Sequence, residues 1–98
     1  MSAADSRAAW MVYMLRCADG SLYTGITTDS QRRLAEHNGD EAAPGARYTR
    51  ARRPVTLAYV EAADSRSAAA RREAAIKRLD RTHKLALCAS WASANRRN

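Results

Sequence analysis

The chain has 98 residues, which leaves room for one domain and excludes a second independently folded one. Apolar residues make up 46% of it, yet many of these are alanine and phenylalanine is absent, so large side chains for a core are few. The 17 Lys and Arg residues against 10 Asp and Glu give a formal charge of +7, which indicates an anionic partner, with nucleic acid as the first candidate. The alternative is that the arginine excess only keeps a small protein soluble.

The two cysteines, Cys17 and Cys88, are too few and too far apart for a disulfide framework, and no Cys/His spacing typical of a zinc site occurs. The N-terminal segment lacks the apolar core of a signal peptide, and no apolar run approaches the roughly 20 residues that cross a bilayer. We therefore expect a reduced, soluble, cytoplasmic protein with no membrane association.

The two ends of the chain differ in character from its middle. Residues 1–9 and 92–98 are small and polar without a period, so we expect flexible ends around a domain at 10–91. The segments at 11–16 and 21–27 are short runs of β-branched, aromatic and aliphatic residues. Because CADG separates them, they predict a β-hairpin.

The turn of this hairpin decides where its two tyrosines point. A two-residue turn at Asp19-Gly20 would place Tyr13 and Tyr23 on opposite faces. A three-residue loop with Gly20 in the left-handed region would instead pair Tyr13 with Gly25 and bring both tyrosines to one face. Gly25 would then leave space beside the Tyr13 ring. On their own, the two tyrosines are more readily explained as core aromatics.

A short helix is predicted at 30–38. Thr28 and Asp29 are good N-cap residues before it, and Asn38-Gly39 predicts a left-handed stop.

This helix presents Arg33 and His37 on one face, because they are four residues apart. A cation and a titratable imidazole therefore lie side by side. Alone, such a pair is most often a solvated helix face.

The following segment, GDEAAPGARYTRARRP at 39–54, is predicted to be a loop because Gly and Pro interrupt it. It is the densest positive patch of the chain, with no acidic residue between Glu41 and Glu61. Its arginines could contact phosphates, and its tyrosine offers a ring on which a base could stack. The residues concerned are Arg47, Tyr48, Arg50, Arg52 and Arg53.

A third strand is predicted at 54–62, with Val55, Leu57 and Tyr59 alternating against their neighbours. Ser65 is a plausible N-cap for a long alanine-rich helix that runs to about residue 80. After a break around 80–82, a further helical stretch is predicted at 84–92. The order β-β-α-β-α-α predicts an α+β fold with a three-stranded antiparallel sheet flanked by helices.

Glu73 lies at the edge of the apolar stripe of the long helix, which is centred on Ile76. A carboxylate there faces partly inward. Arg72 lies on the same stripe, so a local ion pair is an equally good interpretation.

Three segments taken together resemble the GIY-YIG nuclease superfamily, most closely its small stand-alone bacterial members of the YhbQ type. They are VYMLRCADGSLYTGITTDSQRRLAEHN, ARYTRARRPVTLAYVE and AARREAAIKRLDR. The resemblance implies the GIY-YIG fold, with Tyr13 in the first motif and Tyr23 and Gly25 in the second. It places Arg33, His37 and Glu73 at the family's arginine, histidine or tyrosine, and metal-binding glutamate. One departure is the asparagine that many members carry beyond the glutamate, since this chain has none between Glu73 and Asn95, and His83 or Lys84 are the candidates to replace it.

The resemblance implies a metal-dependent endonuclease that hydrolyses nucleic-acid phosphodiester bonds, with DNA in repair or processing expected ahead of RNA as the substrate. Glu73 would hold Mg²⁺ (or Mn²⁺), Tyr13 and Tyr23 would activate or position water, His37 would bond a tyrosine or the phosphate, and Arg33 would stabilise charge. Gly25, Arg72 and Lys77 are predicted to join the loop residues in contacting nucleic acid. The alternatives are a non-catalytic DNA- or RNA-binding module on the same fold, and a protein-interaction adaptor.

Overall fold

The computed structural model describes residues 9–39 and 46–95, which form a single three-stranded sheet with helices on both faces. In chain order the elements are β1 (Met11–Arg16), β2 (Leu22–Thr27), α1 (Ser30–Asn38), α2 (Ala46–Arg50), β3 (Thr56–Ala62), α3 (Arg66–Lys77) and α4 (Arg81–Asn95). The strand order is β2-β1-β3 and both pairings are antiparallel. The predicted α+β class and its three-stranded antiparallel sheet are therefore confirmed.

The β1–β2 hairpin has the three-residue loop. Cys17 and Ser21 close it through a backbone hydrogen bond of 2.9 Å, and Gly20 has a φ of +87°. Only glycine takes this left-handed conformation without a steric penalty. The register pairs Tyr13 with Gly25, so the second of the two predicted turns is confirmed and both tyrosines lie on one face.

The third strand contains a β-bulge that the alternating pattern did not predict. Met14 pairs with Tyr59 while Leu15 pairs with Leu57, so Ala58 is an extra residue on β3. An extra residue moves all later side chains to the other face. The prediction that Leu57 and Tyr59 share a face is therefore wrong, because they pack into different core clusters.

Each face of the sheet has its own apolar cluster. The cluster beneath α3 and α4 consists of Val12, Met14, Ala58, Tyr59, Ala69, Ile76 and Cys88. The cluster beneath α1 consists of Tyr13, Leu15, Cys17 and Val55, with Tyr23, Leu34, Leu57 and Val60 packed against it. Because consecutive residues of β1 point to opposite faces, this buried central strand contributes to both clusters.

Helix α1 has the predicted bounds, and the Asp29 side chain caps it by accepting a hydrogen bond from the Arg32 amide at 3.0 Å. Its predicted left-handed end is wrong, since Gly39 has a φ of −100° and an extended backbone. The Asn38 side chain explains the difference. It bonds both backbone groups of Val55, at 2.9 and 2.8 Å, and so ties the end of the helix to the chain entering β3.

The predicted loop at 39–54 contains the short helix α2, which is a further correction. A buried side chain in this helix, Thr49, is bonded to His37 and anchors the turn against the core. Residues 40–45 of that prediction lie outside the described residues.

The last two helices follow the predicted order, but both differ from the predicted bounds. Helix α3 ends at Lys77 and not at about residue 80. Ser65 caps α3 as expected, through a 3.1 Å bond from the Ala68 amide. Asp80 accepts a 2.9 Å bond from the His83 amide, so α4 begins at Arg81, earlier than predicted, and it continues to Asn95. Of the predicted flexible ends, residues 1–8 and 96–98 lie outside the described part of the chain.

Among residues 9–39 and 46–95, no helix is long and apolar enough to cross a bilayer.

Replacing Gly25 by alanine should destabilise the fold, because the new Cβ would lie 2.7 Å from Tyr13 Oη and 2.9 Å from its Cζ. Overpacking of this kind costs about 1–3 kcal/mol, measurable by urea denaturation. The control is the same substitution in a Tyr13→Ala background, where the methyl group has room and should cost little. An equal cost in both backgrounds would show that the ring contact is not the reason for glycine.

Candidate active site

A cavity of about 220 Å³ lies where β1, β2, α1 and α3 meet. Its lining residues are Trp10, Tyr13, Tyr23, Gly25, Ile26, Arg33, Arg66 and Glu73. Four of the five predicted catalytic side chains therefore share one cavity. A larger cavity of about 380 Å³, between β3 and α4, is lined by apolar side chains together with Arg16 and Thr56, and contains none of the predicted site residues.

The two tyrosines form the floor and one wall of the smaller cavity. Tyr13 is buried beside Gly25, and its ring centroid lies 6.3 Å from that of the half-buried Tyr23. Burial raises the pKa of both phenols, and the nearby guanidinium of Arg33 lowers them only in part. Both side chains are consequently protonated phenols at neutral pH, able to donate as well as accept hydrogen bonds.

His37 does not line the cavity but lies directly behind Tyr13. It is 1% exposed, and its Nε2 is 3.3 Å from Tyr13 Oη while its Nδ1 is 2.8 Å from Thr49 Oγ1. Burial lowers the pKa of His37, and the positive charge of Arg33 lowers it further. The imidazole is therefore neutral at pH 7 and belongs to a buried chain of three polar side chains, not to a solvated helix face.

Arg33 reaches the cavity from α1 and is oriented by Glu36. Its Nη1 donates to Glu36 Oε1 at 3.0 Å, and its Nε is the one buried side-chain nitrogen or oxygen in residues 9–39 and 46–95 that has no hydrogen-bond partner. A buried donor without an acceptor costs about 1–3 kcal/mol, so this guanidinium can still gain from an acceptor. The sequence analysis missed Glu36, although its position three residues after Arg33 was a usable signal.

Glu73 belongs to a helix that packs on the opposite face of the sheet from α1. Helix α3 places Ala69 and Ile76 against Val12 and Met14, yet Glu73 lines the same cavity as Tyr23. This is possible because β2 is an edge strand, so the Glu73 side chain can extend around the edge of the sheet. Glu73 is paired with Lys77, Oε2 to Nζ at 2.9 Å.

Two further lining residues, Trp10 and Arg66, were missed by the sequence analysis. Arg66 is the first residue of α3, and its guanidinium lies 5.6 Å from the Trp10 ring centroid. No local pattern links them, since 55 residues lie between them in the chain and only the fold brings them together. His83 and Lys84 do not line this cavity, and His83 is an exposed partner of Asp80 at 2.7 Å.

Comparison with known proteins identifies the family of the chain. The family model described as the GIY-YIG catalytic domain matches residues 9–86. The chain belongs to the GIY-YIG family.

Similar proteins include a UPF0213 protein of Desulfotalea psychrophila, 58% identical over 81 residues that cover 83% of this chain and 72% of that protein. A UPF0213 protein of Halobacterium salinarum is 58% identical over 76 residues, which cover 78% of this chain and 95% of that protein. The solution NMR structure of the UPF0213 protein BH0048 from Bacillus halodurans is 42% identical with a TM-score of 0.51, and the match covers 82% of each chain. These names state no activity.

The fit of a divalent ion to this GIY-YIG site can be judged from its donors. Within the described residues no group of three or more His, Cys, Asp or Glu side chains could hold a metal ion. Mg²⁺, however, is usually bound by one or two carboxylates together with substrate phosphates and several waters. A single cavity carboxylate, Glu73, therefore fits an ion shared with a phosphate and does not fit a closed protein cage.

The predicted nucleic-acid-binding arginines divide into two groups. Arg47 and Arg50 are exposed. Arg52 pairs with Asp19 at 3.2 Å and lies 4.1 Å above the Tyr48 ring, whereas Arg53 donates to Gly39 O at 2.6 Å. Arg52 and Arg53 therefore also hold the segment in place.

Tyr48 is the exposed aromatic of this segment, and its ring centroid lies 5.8 Å from that of Tyr23. The basic segment is therefore in contact with the cavity wall.

The two predicted contacts on α3 also have structural partners. Arg72 donates from Nε to both carboxylate oxygens of Glu61, at 3.0 and 2.9 Å, and does not line the cavity. Lys77 is placed beside the cavity by its pair with Glu73.

The stability of the domain should fall as the pH is lowered from 7 to 5. Because burial lowers the folded-state pKa of His37 below its ordinary value of 6.5, the unfolded chain binds more protons in this window, and stability decreases as the pH falls. The measurement is the urea midpoint at several pH values.

In His37→Gln this slope should be flatter than in the unmodified protein, and His83→Gln, which removes an exposed imidazole, is the comparison variant. The lowered pKa values of Asp19 and Asp80 act only at lower pH, around and below their ordinary value of 3.8. Equal slopes in the unmodified protein and His37→Gln would contradict a neutral buried His37.

Proposed function

We propose that this GIY-YIG domain is an endonuclease that hydrolyses phosphodiester bonds in nucleic acid with Mg²⁺ or Mn²⁺, with DNA in repair or processing as the first substrate class to test. The observation that carries the proposal is the single cavity shared by Tyr13, Tyr23, Arg33 and Glu73. The net charge of +7 supports a polyanionic substrate. Two buried free cysteines suit the reducing cytoplasm, where we place the protein.

Arg33 would bind the scissile phosphate. Its guanidinium is held by Glu36 and lacks an acceptor at Nε, which a phosphate oxygen in the cavity could supply after a small shift. A preorganised cation in a half-buried site stabilises the charge that develops on phosphorus in the transition state.

Water activation is assigned to Tyr13 together with His37. A phenol of pKa about 10 is ionised only to about one part in a thousand at pH 7, and burial raises the pKa of Tyr13 further, so a preformed phenolate is not available. Instead, Tyr13 would accept a proton from the attacking water while its own hydroxyl proton moves to His37 Nε2, 3.3 Å away. Tyr23 would orient the water from the cavity wall.

Glu73 would hold the divalent ion jointly with the phosphate. When bound, the ion supplies Lewis-acid stabilisation of the phosphoryl oxygens and the leaving group. Because Glu73 is paired with Lys77 at 2.9 Å, this carboxylate must exchange the ammonium for the ion, and Lys77 would then be available to a phosphate.

Purified protein should cleave labelled nucleic acid with Mg²⁺ and not with EDTA, and the panel should contain single-stranded, duplex and branched DNA as well as RNA. Tyr13→Phe should lower the rate by about 10²- to 10⁴-fold, because it removes the group that takes the proton. Glu73→Gln should abolish Mg²⁺-dependent cleavage, because it removes the carboxylate that would hold the ion.

The matched control is Arg71→Gln, an exposed position on the same helix as Glu73. It should cleave at the unmodified rate. Full Mg²⁺-dependent cleavage by Glu73→Gln would rule out the metal assignment.

A second candidate is a non-catalytic nucleic-acid-binding module. The Lys77–Glu73 ion pair favours it, since that pair neutralises the cavity carboxylate without a metal. Binding without cleavage of any substrate on the panel would support this candidate over the nuclease.

In both cases the exposed arginines Arg47 and Arg50 should contribute to affinity by releasing counterions from phosphates. Changing each to glutamine should weaken binding across sequences and reduce the slope of log affinity against log salt by about 1. Arg71→Gln is again the control. Binding that hardly responds to salt in the unmodified protein would instead indicate the protein-interaction adaptor.

A further inference from the structure

Three polar side chains from three different elements form a buried chain behind the cavity. Thr49 in α2 is 0% exposed, and His37 in α1 and Tyr13 in β1 are each 1% exposed. The distances are 2.8 Å from Thr49 Oγ1 to His37 Nδ1 and 3.3 Å from His37 Nε2 to Tyr13 Oη. Hydrogen bonds among such buried groups are not exchanged for water, so their directions are fixed by the partners themselves.

The direction of these two bonds depends on the tautomer of the imidazole. A neutral histidine carries one N–H donor and one acceptor nitrogen, so only one of its two partners can receive a proton from it. Tyr13 is a protonated phenol and needs an acceptor for its hydroxyl, for which Nε2 is in position. When the Tyr13 hydroxyl donates to Nε2, Nδ1 carries the proton, and Thr49 Oγ1 is the oxygen that accepts from it.

We propose that Thr49 is a positioning residue of this site: its hydroxyl accepts the Nδ1–H of His37 and thereby leaves Nε2 as the acceptor for the Tyr13 hydroxyl. With the opposite tautomer, Nε2–H would point at the phenol oxygen, and His37 could not take a proton from it. The catalytic part of this inference rests on the proposed nuclease function, whereas the tautomer does not.

The location of Thr49 gives its role a second consequence. It lies in α2 between Tyr48 and Arg50, and its carbonyl accepts a 2.8 Å bond from the amide of Arg52. The proton acceptor behind Tyr13 is therefore oriented by the same segment that presents arginines to solvent. Placement of that segment on a phosphate backbone and orientation of His37 are linked through one side chain.

The tautomer can be read directly by a long-range ¹H–¹⁵N correlation spectrum of protein labelled with ¹⁵N-histidine at pH 7.5. His37→Gln assigns the two imidazoles, and the exposed His83 serves as an internal reference. We expect His37 in the Nδ1–H form in the unmodified protein. An Nε2–H form of His37 in the unmodified protein would overturn the proposal.

Two substitutions test the role of the hydroxyl. Thr49→Val keeps the shape and removes the acceptor, so we expect a changed tautomer mixture at His37 and a kcat lowered by about 10- to 100-fold with KM little changed. Thr49→Ser retains the hydroxyl and should restore both readouts.

An unchanged imidazole spectrum in Thr49→Val would overturn the proposal, as would a normal tautomer accompanied by a loss of rate in Thr49→Ser. Absence of cleavage by the unmodified protein would instead overturn the proposed function, and the spectrum would still decide the role of Thr49.

Discussion

In the β1–β2 hairpin, the left-handed backbone of Gly20 sets a three-residue loop, and the loop sets which residues face each other. A shift of one residue would turn Tyr23 away from Tyr13 and place a side chain where Gly25 now leaves room. The Tyr13 ring lies so close to Gly25 that a side chain at that position would clash with it, so sterics favour the same register. The remaining groups of the cavity are arranged around this ring.

The cavity combines two positive charges, those of Arg33 and Arg66, with one compensated negative charge and two neutral phenols. Arg33 is held by Glu36, and Glu73 is neutralised by Lys77, so neither charge is isolated in a half-buried place. The phenols and the imidazole are kept neutral by burial, since desolvation disfavours their charged forms. The arrangement suits a site whose charges are redistributed only when an anionic group and a cation enter it.

Local signals explain what the sequence could predict. Asp29 and Ser65 are side chains that cap helices, and the CADG turn limits the hairpin to two registers, so the strands and helices α1 and α3 were found. Arg33 and Glu73 were found as site residues only through the family resemblance. Their spacing alone suited an exposed face as well as a cavity.

Features that depend on contacts distant in sequence were not predictable from these signals. The bulge at Ala58 follows from pairing with β1, and the short helix α2 is anchored by Thr49 on His37, 12 residues away. Trp10 and Arg66 become neighbours only after the sheet and α3 have packed. The predicted left-handed stop at Gly39 was wrong for the same reason, because the Asn38 side chain accepts a hydrogen bond from the backbone amide of Val55.

The attachment of Arg52 to the hairpin tip has a consequence for molecular recognition. Its carbonyl accepts a 2.8 Å bond from the Ala18 amide, its guanidinium pairs with Asp19, and the same group covers the Tyr48 ring. The Tyr48 ring is therefore fastened to the rigid sheet instead of sampling many orientations on a free segment. A ligand that meets this preorganised surface loses less conformational entropy on association, so weak individual contacts can still give useful affinity.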